Sequence, residues 1–421
     1  MLAGHRGTPR TEGAAVNPPV TAALVVIPRG TDPALLARPV GGVPLLLRTL
    51  LSLRRRGFRS IRVTGLEGPL PDDRRLADLE LVASDAAPDL PQLVVPGTLV
   101  WDDRLLRRVL DGRATTDALA ICPDRDRALG QARLIGAGVA PESVPPGAVL
   151  VRSDADHEAA GRLLVRSAGK DTDGIVSRHV NRKVSQALTS LLVGTPVTPN
   201  AVTMVVSLVG VAAAALVLAG GYAGTALGAG LFVLNSVLDG VDGELARLRF
   251  QESPAGAWLD RLSDKAVMVL FFGAVFVTLM RGEPSPGLKA AAGISVAGFA
   301  VGLPLVYLYG HLHKRRGGGR LRVPDRGLRR GVDLVAFEVV FGGVLFRSAG
   351  GGGGPLHRAL SKFSLLLKND LLAMVYLALA LAGRLPAIFW PLAPIGGALL
   401  VAAACCLVAL GSDLVGGARR N

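Results

Sequence analysis

The residues best placed to do chemistry lie in one window, DGVDGELARLRFQESPAGAWLDRLSD, from Asp239 to Asp264. Asp239 and Asp242 are three apart and share one face of a helix; Asp260 and Asp264 are four apart and share another. Both pairs adjoin long uncharged runs, where an unpaired carboxylate is costly. The short connection between them makes the two helices antiparallel neighbours, so the pairs can converge into one cage of oxygen ligands. Hard oxygen donors without His or Cys favour magnesium, manganese or calcium over zinc. Gly243, Ala246 and Gly256 put almost no bulk beside the acids, which allows either close helix packing or a flat ligand against the backbone. Arg247 can pair with a phosphate or with one of the acids. Bound metal, a cation and room for a planar group suit a nucleotide diphosphate. The contrasting reading, an ion pathway in a transporter, leaves the spacing and the small residues unexplained.

The elements that must position these side chains are apolar helices. Uncharged runs cover Ala201 to Ala219, Tyr222 to Leu238, Ala266 to Met280, Ala290 to Gly310, Leu371 to Gly383 and Leu385 to Leu410. A bilayer crossing takes about 20 apolar residues, so six spans are expected, the fifth being the shortest. Twelve Lys or Arg fall between Lys314 and Lys368. The positive-inside rule then places that loop, both termini and the Asp239 to Asp264 region on the cytoplasmic side of the inner (cytoplasmic) membrane. Ile175 to Leu192 mixes Arg178, Arg182 and Lys183 with Val176, Val180, Val184 and Leu188, the pattern of an amphipathic helix at the membrane surface. Asn235, one turn before Asp239, fits a helix-packing hydrogen bond better than a ligand role. Within the basic loop, Arg315 and Arg316 are candidates to grip an acceptor phosphate, and Lys368, at the mouth of the fifth span, is a third.

The preceding part reads differently. From Thr21 to about Gly169, short apolar runs alternate with charged helical stretches. Strands are expected at Ala22 to Ile27, Ser60 to Thr64, Leu93 to Val95 and Ala118 to Ile121, with a helix over Val43 to Arg56. This predicts a layered α/β domain with a mostly parallel sheet. The resulting division is 1–20 as a flexible N-terminus, 21–170 as a soluble α/β domain, 171–195 as the interfacial helix, 196–412 as the membrane domain and 413–421 as a basic tail. Half of the 421 residues are hydrophobic and 5% are aromatic, which excludes disorder and small disulfide scaffolds. The three cysteines, Cys122, Cys405 and Cys406, have no zinc or disulfide spacing. The net charge of +14 sits largely in a membrane loop and stacking aromatics are scarce, so nucleic acid is not an expected partner. The start, MLAGHRGTPRTEG, has no signal-type apolar core, and the N-terminus is expected to stay in the cytoplasm.

The spacing D-x2-D-G-x2-A-R-x8-G-x3-D-x3-D is carried by Asp239, Asp242, Gly243, Ala246, Arg247, Gly256, Asp260 and Asp264, and it resembles the signature of the CDP-alcohol phosphotransferases. Thr198-Pro199-Asn200 and the six-span count extend the resemblance over roughly Asp171 to Leu410. It implies that Asp239, Asp242 and Asp260 bind magnesium or manganese, that Asp264 is the general base and also a metal ligand, and that Asn200, Gly243, Ala246, Arg247 and Gly256 hold CDP. It further implies a CDP-linked alcohol as donor, usually CDP-diacylglycerol, an acceptor hydroxyl, release of CMP, and a homodimer. Ala23 to Val63 is similar to the start of sugar-phosphate nucleotidyltransferases. Here, though, Pro28, Arg29, Gly30 and Thr31 stand in the phosphate loop, Arg38 lies near the expected Lys, and Thr98 replaces a metal-binding Asp with Asp102 and Asp103 close behind. A catalytically impaired nucleotidyltransferase-like module is the expectation. The order of the two parts resembles bifunctional inositol-phosphate enzymes, as do KDTDGIVSRHVNRKVS (Lys170 to Ser185) and TPVTPN. This favours a polyol-phosphate acceptor such as inositol phosphate, the alternative being a transferase that joins CDP-inositol to inositol phosphate.

Overall fold

The computed structural model describes residues 20–87, 89–112, 116, 118–169, 181–306, 308–309 and 369–418. The chain divides into two compact units, Met1–Ser167 with Leu248–Phe250, and Ala168–Arg247 with Gln251–Asn421.

The first unit is built on β1 (Ala22–Val26), five consecutive buried residues, as a strand covered on both faces requires. It continues through α1 (Pro33–Ala37), the short antiparallel pair β2 (Pro39–Val40) and β3 (Val43–Pro44), and α2 (Leu45–Arg55). In α2 the leucines at 46, 47, 50, 51 and 53 are buried and Arg54 and Arg55 occupy the last turn, where cations favour the helix dipole. Then come β4 (Ser60–Thr64), β5 (Glu80–Ala83), β6 (Gln92–Pro96), β7 (Leu99–Trp101) and α3 (Asp103–Leu110). The unit closes with β8 (Ala120–Cys122), α4 (Arg125–Ala137), β9 (Ala148–Leu150) and α5 (Asp154–Ser167).

The five-stranded sheet has the order β5-β4-β1-β6-β8, parallel except where β8 runs against β6. The strands at 22–26, 60–64 and 92–96 stand where the apolar runs place them. The expected helix start at Val43 is instead the strand β3, with the helix beginning at Leu45. Beyond the carboxyl ends of β1 and β6 lies a cavity of about 530 Å³ lined by Arg29, Thr31, Arg38, Thr98 and Arg152, among others. The Asp102 carboxylate caps α3, Oδ1 accepting from the Leu105 N–H at 2.6 Å. Asp103 is ion-paired with Arg56 at 3.0 Å.

The second unit is helical. α6 (Arg182–Leu192) precedes α7 (Pro199–Ala219), α8 (Gly221–Arg249), α9 (Pro254–Met280) and α10 (Pro286–Ala297), the last extended by a π turn at Gly298–Gly302. After the gap in the described residues come α11 (Asn369–Leu381) and α12 (Phe389–Ala418). The part of the expected interfacial helix before residue 181 lies outside the described residues. Thr198 caps α7 and Ser253 caps α9, each followed by Pro in the first turn. Gly220, at φ +80°, turns the chain between α7 and α8 in a backbone region that other residues avoid.

Among the described residues, five stretches are long and apolar enough to cross a membrane: Pro199–Ala219, Gly221–Arg249, Pro254–Met280, Pro286–Val306 and Leu385–Val408. α8 has the lowest mean hydropathy of them, 1.3, because glycines, Thr225, Asn235 and Ser236 dilute the apolar residues that precede Asp239. The described part of α11, Asn369–Leu381, has 13 residues, about 20 Å and less than a hydrocarbon core. The described residues therefore supply five candidate spans and one shorter apolar helix, against the six spans expected. Close packing needs glycine where α10 and α12 meet, since a Cβ on Gly298 would overlap the Gly396 backbone. Phe232 and Phe271 stack at 4.1 Å, with Tyr376 of α11 edge-on to Phe232 at 5.6 Å. Met204, Val205, Leu208 and Val401 are exposed on the outer faces, the distribution that a lipid solvent allows.

Candidate active site

Asp239 and Asp242 lie toward the end of α8 and Asp260 and Asp264 near the start of α9, with Phe250–Ser253 between the two helices. One carboxylate oxygen from each of Asp239, Asp260 and Asp264 lies within 4.8 Å of the other two, all three residues being half-buried. Oxygens sharing one ion stand at most about 4.2 Å apart for magnesium and about 5 Å for calcium. The trio is thus within a small side-chain adjustment of a common cation. Three converging carboxylates repel one another, and a divalent cation is the economical way to offset that in a site partly removed from water. The donor set, oxygen only, suits magnesium or manganese.

Asp242 does not join this group. It is buried, its Oδ2 accepts from Thr203 Oγ1 of α7 at 2.5 Å and its Oδ1 from the Gly243 N–H at 2.5 Å. The expected four-acid cage is a three-acid cluster with the fourth acid held against α7. The reason lies in helix geometry: three residues turn the chain by about 300°, so Asp242 lies some 60° around from Asp239, enough to meet a neighbouring hydroxyl.

The residues expected to hold CDP form two close pairs. The Arg247 guanidinium lies over Gly243, with Nη1 3.1 Å from where a Cβ would stand, and its Nε donates to the Ala168 carbonyl at 2.8 Å. Asn200 Oδ1 is 3.1 Å from the corresponding point on Gly256, so the first turns of α7 and α9 meet there. Any larger residue at either glycine would displace a polar side chain. Ala246 is partly buried one residue before Arg247, and its carbonyl accepts from the Gln251 N–H at 2.9 Å as α8 ends. Arg315, Arg316 and Lys368 lie outside the described residues. Asn235 donates through Nδ2 to the Val206 carbonyl at 2.7 Å, a helix-packing bond as its position suggested.

Two residues that the sequence reading passed over belong to the surroundings. Thr203 is the partner of Asp242. Glu244, wholly buried, accepts from Arg182, from Ser185 Oγ at 2.9 Å and from Thr189 Oγ1 at 2.7 Å. A signal for it exists: Arg182, Ser185 and Thr189 recur at three- and four-residue spacing, a polar stripe on one face of α6 that calls for an acid opposite.

Residues 196–317 match the model of the CDP-alcohol phosphatidyltransferase family, so the C-terminal part of the chain carries a domain of that family. The chain is also similar to proteins named "Bifunctional IPC transferase and DIPP synthase". It is 40% identical to that of Aquifex aeolicus over 125 residues, 30% of this chain and 28% of the relative. It is 44% identical to that of Thermococcus kodakarensis over 109 residues, 26% and 24% of the two chains. With that of Archaeoglobus fulgidus it shares 32% over 159 residues, 34% and 31%. The similarity thus spans about a quarter to a third of the length of these curated relatives.

Proposed function

We propose that the protein is a membrane-embedded, divalent-metal-dependent CDP-alcohol phosphotransferase. It moves a phosphoalcohol, the phosphatidyl group of CDP-diacylglycerol in the first reading, to a hydroxyl of a polyol phosphate such as inositol phosphate, and CMP leaves. The observation that carries this is the meeting of Asp239, Asp260 and Asp264 from two helices within 4.8 Å, inside a segment of the matching family.

Asp239, Asp260 and Asp264 would hold magnesium or manganese, with Asp242 of α8, which accepts from Thr203, as a fourth ligand. The bound ion would neutralise phosphate charge and the charge that develops on the departing CMP. Arg247 over Gly243 and Asn200 beside Gly256 orient the CDP portion, and Ala246 leaves room for it. Asp264 takes the proton of the acceptor hydroxyl as its oxygen bonds to the donor phosphorus, and the phosphorus–oxygen bond to CMP breaks. Arg315, Arg316 and Lys368 serve the acceptor phosphate. α11 with the chain before it forms the sixth span, the site faces the cytoplasm, and the protein works as a homodimer. The α/β unit is a nucleotidyltransferase-like module without activity: Pro28 interrupts the phosphate loop, Thr98 stands where a metal-binding Asp is needed, and Arg38 is paired with Asp154.

A second reading has a specific support in the names of the relatives, which include DIPP synthase: transfer from CDP-inositol to inositol phosphate, giving a soluble di-inositol phosphodiester. One assay covers both. Purified full-length protein is incubated with magnesium or manganese, labelled CDP-diacylglycerol or CDP-inositol, and a panel of polyol phosphates and amino alcohols. Metal-dependent CMP release with a labelled lipid product supports the first reading, and a water-soluble diester supports the second. No CMP from either donor, with ion flux in proteoliposomes, would overturn both.

A further inference from the structure

We infer that Glu244 and Arg182 are positioning residues that lock α6 onto the acid-bearing end of α8 and thereby set the orientation of Asp239, Asp242 and Arg247; this rests on the transferase reading above. Glu244 lies two residues after Asp242 and three before Arg247, on the same turns of α8. It is 0% exposed, and three donors from α6 converge on its two oxygens: Arg182, Ser185 and Thr189. A buried ion pair is a poor way merely to hold two helices together, because an apolar pair of similar volume does so equally well or better. What three directional donors on one carboxylate supply is a single relative rotation and register, which apolar contacts specify only weakly. The other packing around this contact is of that weak kind: Leu188 and Leu192 of α6 lie against a small apolar cluster containing Val241 and Leu245.

The lock bears directly on the reacting region. A Cβ built on Gly240, the residue after Asp239, would stand 3.6 Å from Ser185 Oγ and 3.7 Å from both Ser185 Cβ and Arg182 Nη1. α6 therefore lies over the turn that carries Asp239, Asp242 and Gly243, and rotating it changes what that turn packs against. Displacements near 1 Å at a reacting centre cost on the order of 100-fold in rate.

The same closeness gives the test, since a Cβ–Cβ separation of 3.7 Å falls in the range that a disulfide spans. Ser185→Cys with Gly240→Cys is made in full-length protein whose Cys122, Cys405 and Cys406 are replaced by serine, with and without Glu244→Ala; in this parent Arg182 and Thr189 still donate to Glu244. Crosslinking rate and the kinetics of CMP release are then measured. The lock predicts that Glu244→Ala slows crosslinking and lowers kcat on the order of 100-fold while KM for the CDP donor changes less than about threefold. Oxidation to the disulfide then returns kcat close to that of the Glu244 parent. Should Glu244→Ala fail to fold, Arg182→Met with Glu244→Met removes both charges together, and it is expected to melt like the parent yet show the same loss of kcat. Crosslinking at the parent rate without Glu244, unchanged kcat in the stable double variant, or a disulfide that rescues nothing would overturn the inference. A parent that releases no CMP would overturn the transferase reading, while the crosslinking rate still decides whether the lock exists.

Discussion

Thr203→Val is nearly isosteric and removes one group, the hydroxyl that donates to Asp242 Oδ2 at 2.5 Å. Thr203 and Asp242 are both only 7% exposed, so no water replaces the lost donor. A hydrogen bond to a charged group is worth about 1.5–3 kcal/mol. The same hydroxyl also lies 3.2 Å from the Pro199 carbonyl of its own helix, and one proton cannot serve both acceptors fully, so the lower end applies. About 1.5 kcal/mol corresponds to roughly a tenfold change in an equilibrium. The Gly243 N–H remains as a donor to the other oxygen, which keeps Asp242 in place but free to turn about its last bond. The assay is a manganese titration followed by EPR, paired with thermal unfolding in detergent. Thr203→Val should weaken manganese binding about tenfold, the low end of what losing an outer partner of a ligand costs, and Thr203→Ser should keep most of it. Equal manganese affinity and equal melting in Thr203→Val would refute the claim that this hydroxyl holds Asp242 for the site.

Three further outcomes follow from other parts of the molecule. Gly298→Val puts a side chain into the Gly396 backbone where α10 and α12 cross; overpacking of this kind costs about 1–3 kcal/mol, visible as a lower melting temperature. Asp102→Ala removes the cap of α3 and should destabilise the α/β unit by about 1 kcal/mol, without changing CMP release in the full-length protein; lost CMP release would give that acid a role beyond the cap. Asp264→Asn keeps the shape of the cluster but cannot take up a proton, so kcat should fall on the order of 100- to 10,000-fold, measured as CMP release at saturating donor.

The sequence made the acid-bearing helices legible because two uncharged runs end in aspartates at helical spacing, and nothing but a shared site explains acids there. The buried strands β1 and β6 were legible for a similar reason, β1 being an unbroken apolar run and β6 holding Leu93–Val95 at its centre. β5 was not: ELVA has only Leu81 partly buried, so it forms an outer strand without an apolar face to announce it. β2, β3, β7 and β9 are two or three residues long, too short for a period to register. Asp102 looked like a displaced metal ligand because its distance from Thr98 drew attention. The more local fact, an aspartate directly before an amphipathic helix, is a cap signal. At the site, spacing said which acids share a helix face but not how far each side chain turns, so Asp242 with Thr203 needed three-dimensional neighbours. Glu244 was hidden by its setting, since an acid between acids reads as one more member of a cluster until α6 is seen beside it.

The central claim is that Asp239, Asp260 and Asp264 bind one divalent cation together. Manganese binding followed by EPR, on the full-length protein and on Asp260→Asn, tests it without reference to any substrate. The account predicts a saturable bound signal in the parent and its loss, or a weakening of at least tenfold, in Asp260→Asn. Undiminished manganese binding in Asp260→Asn, or none in the parent, would contradict it.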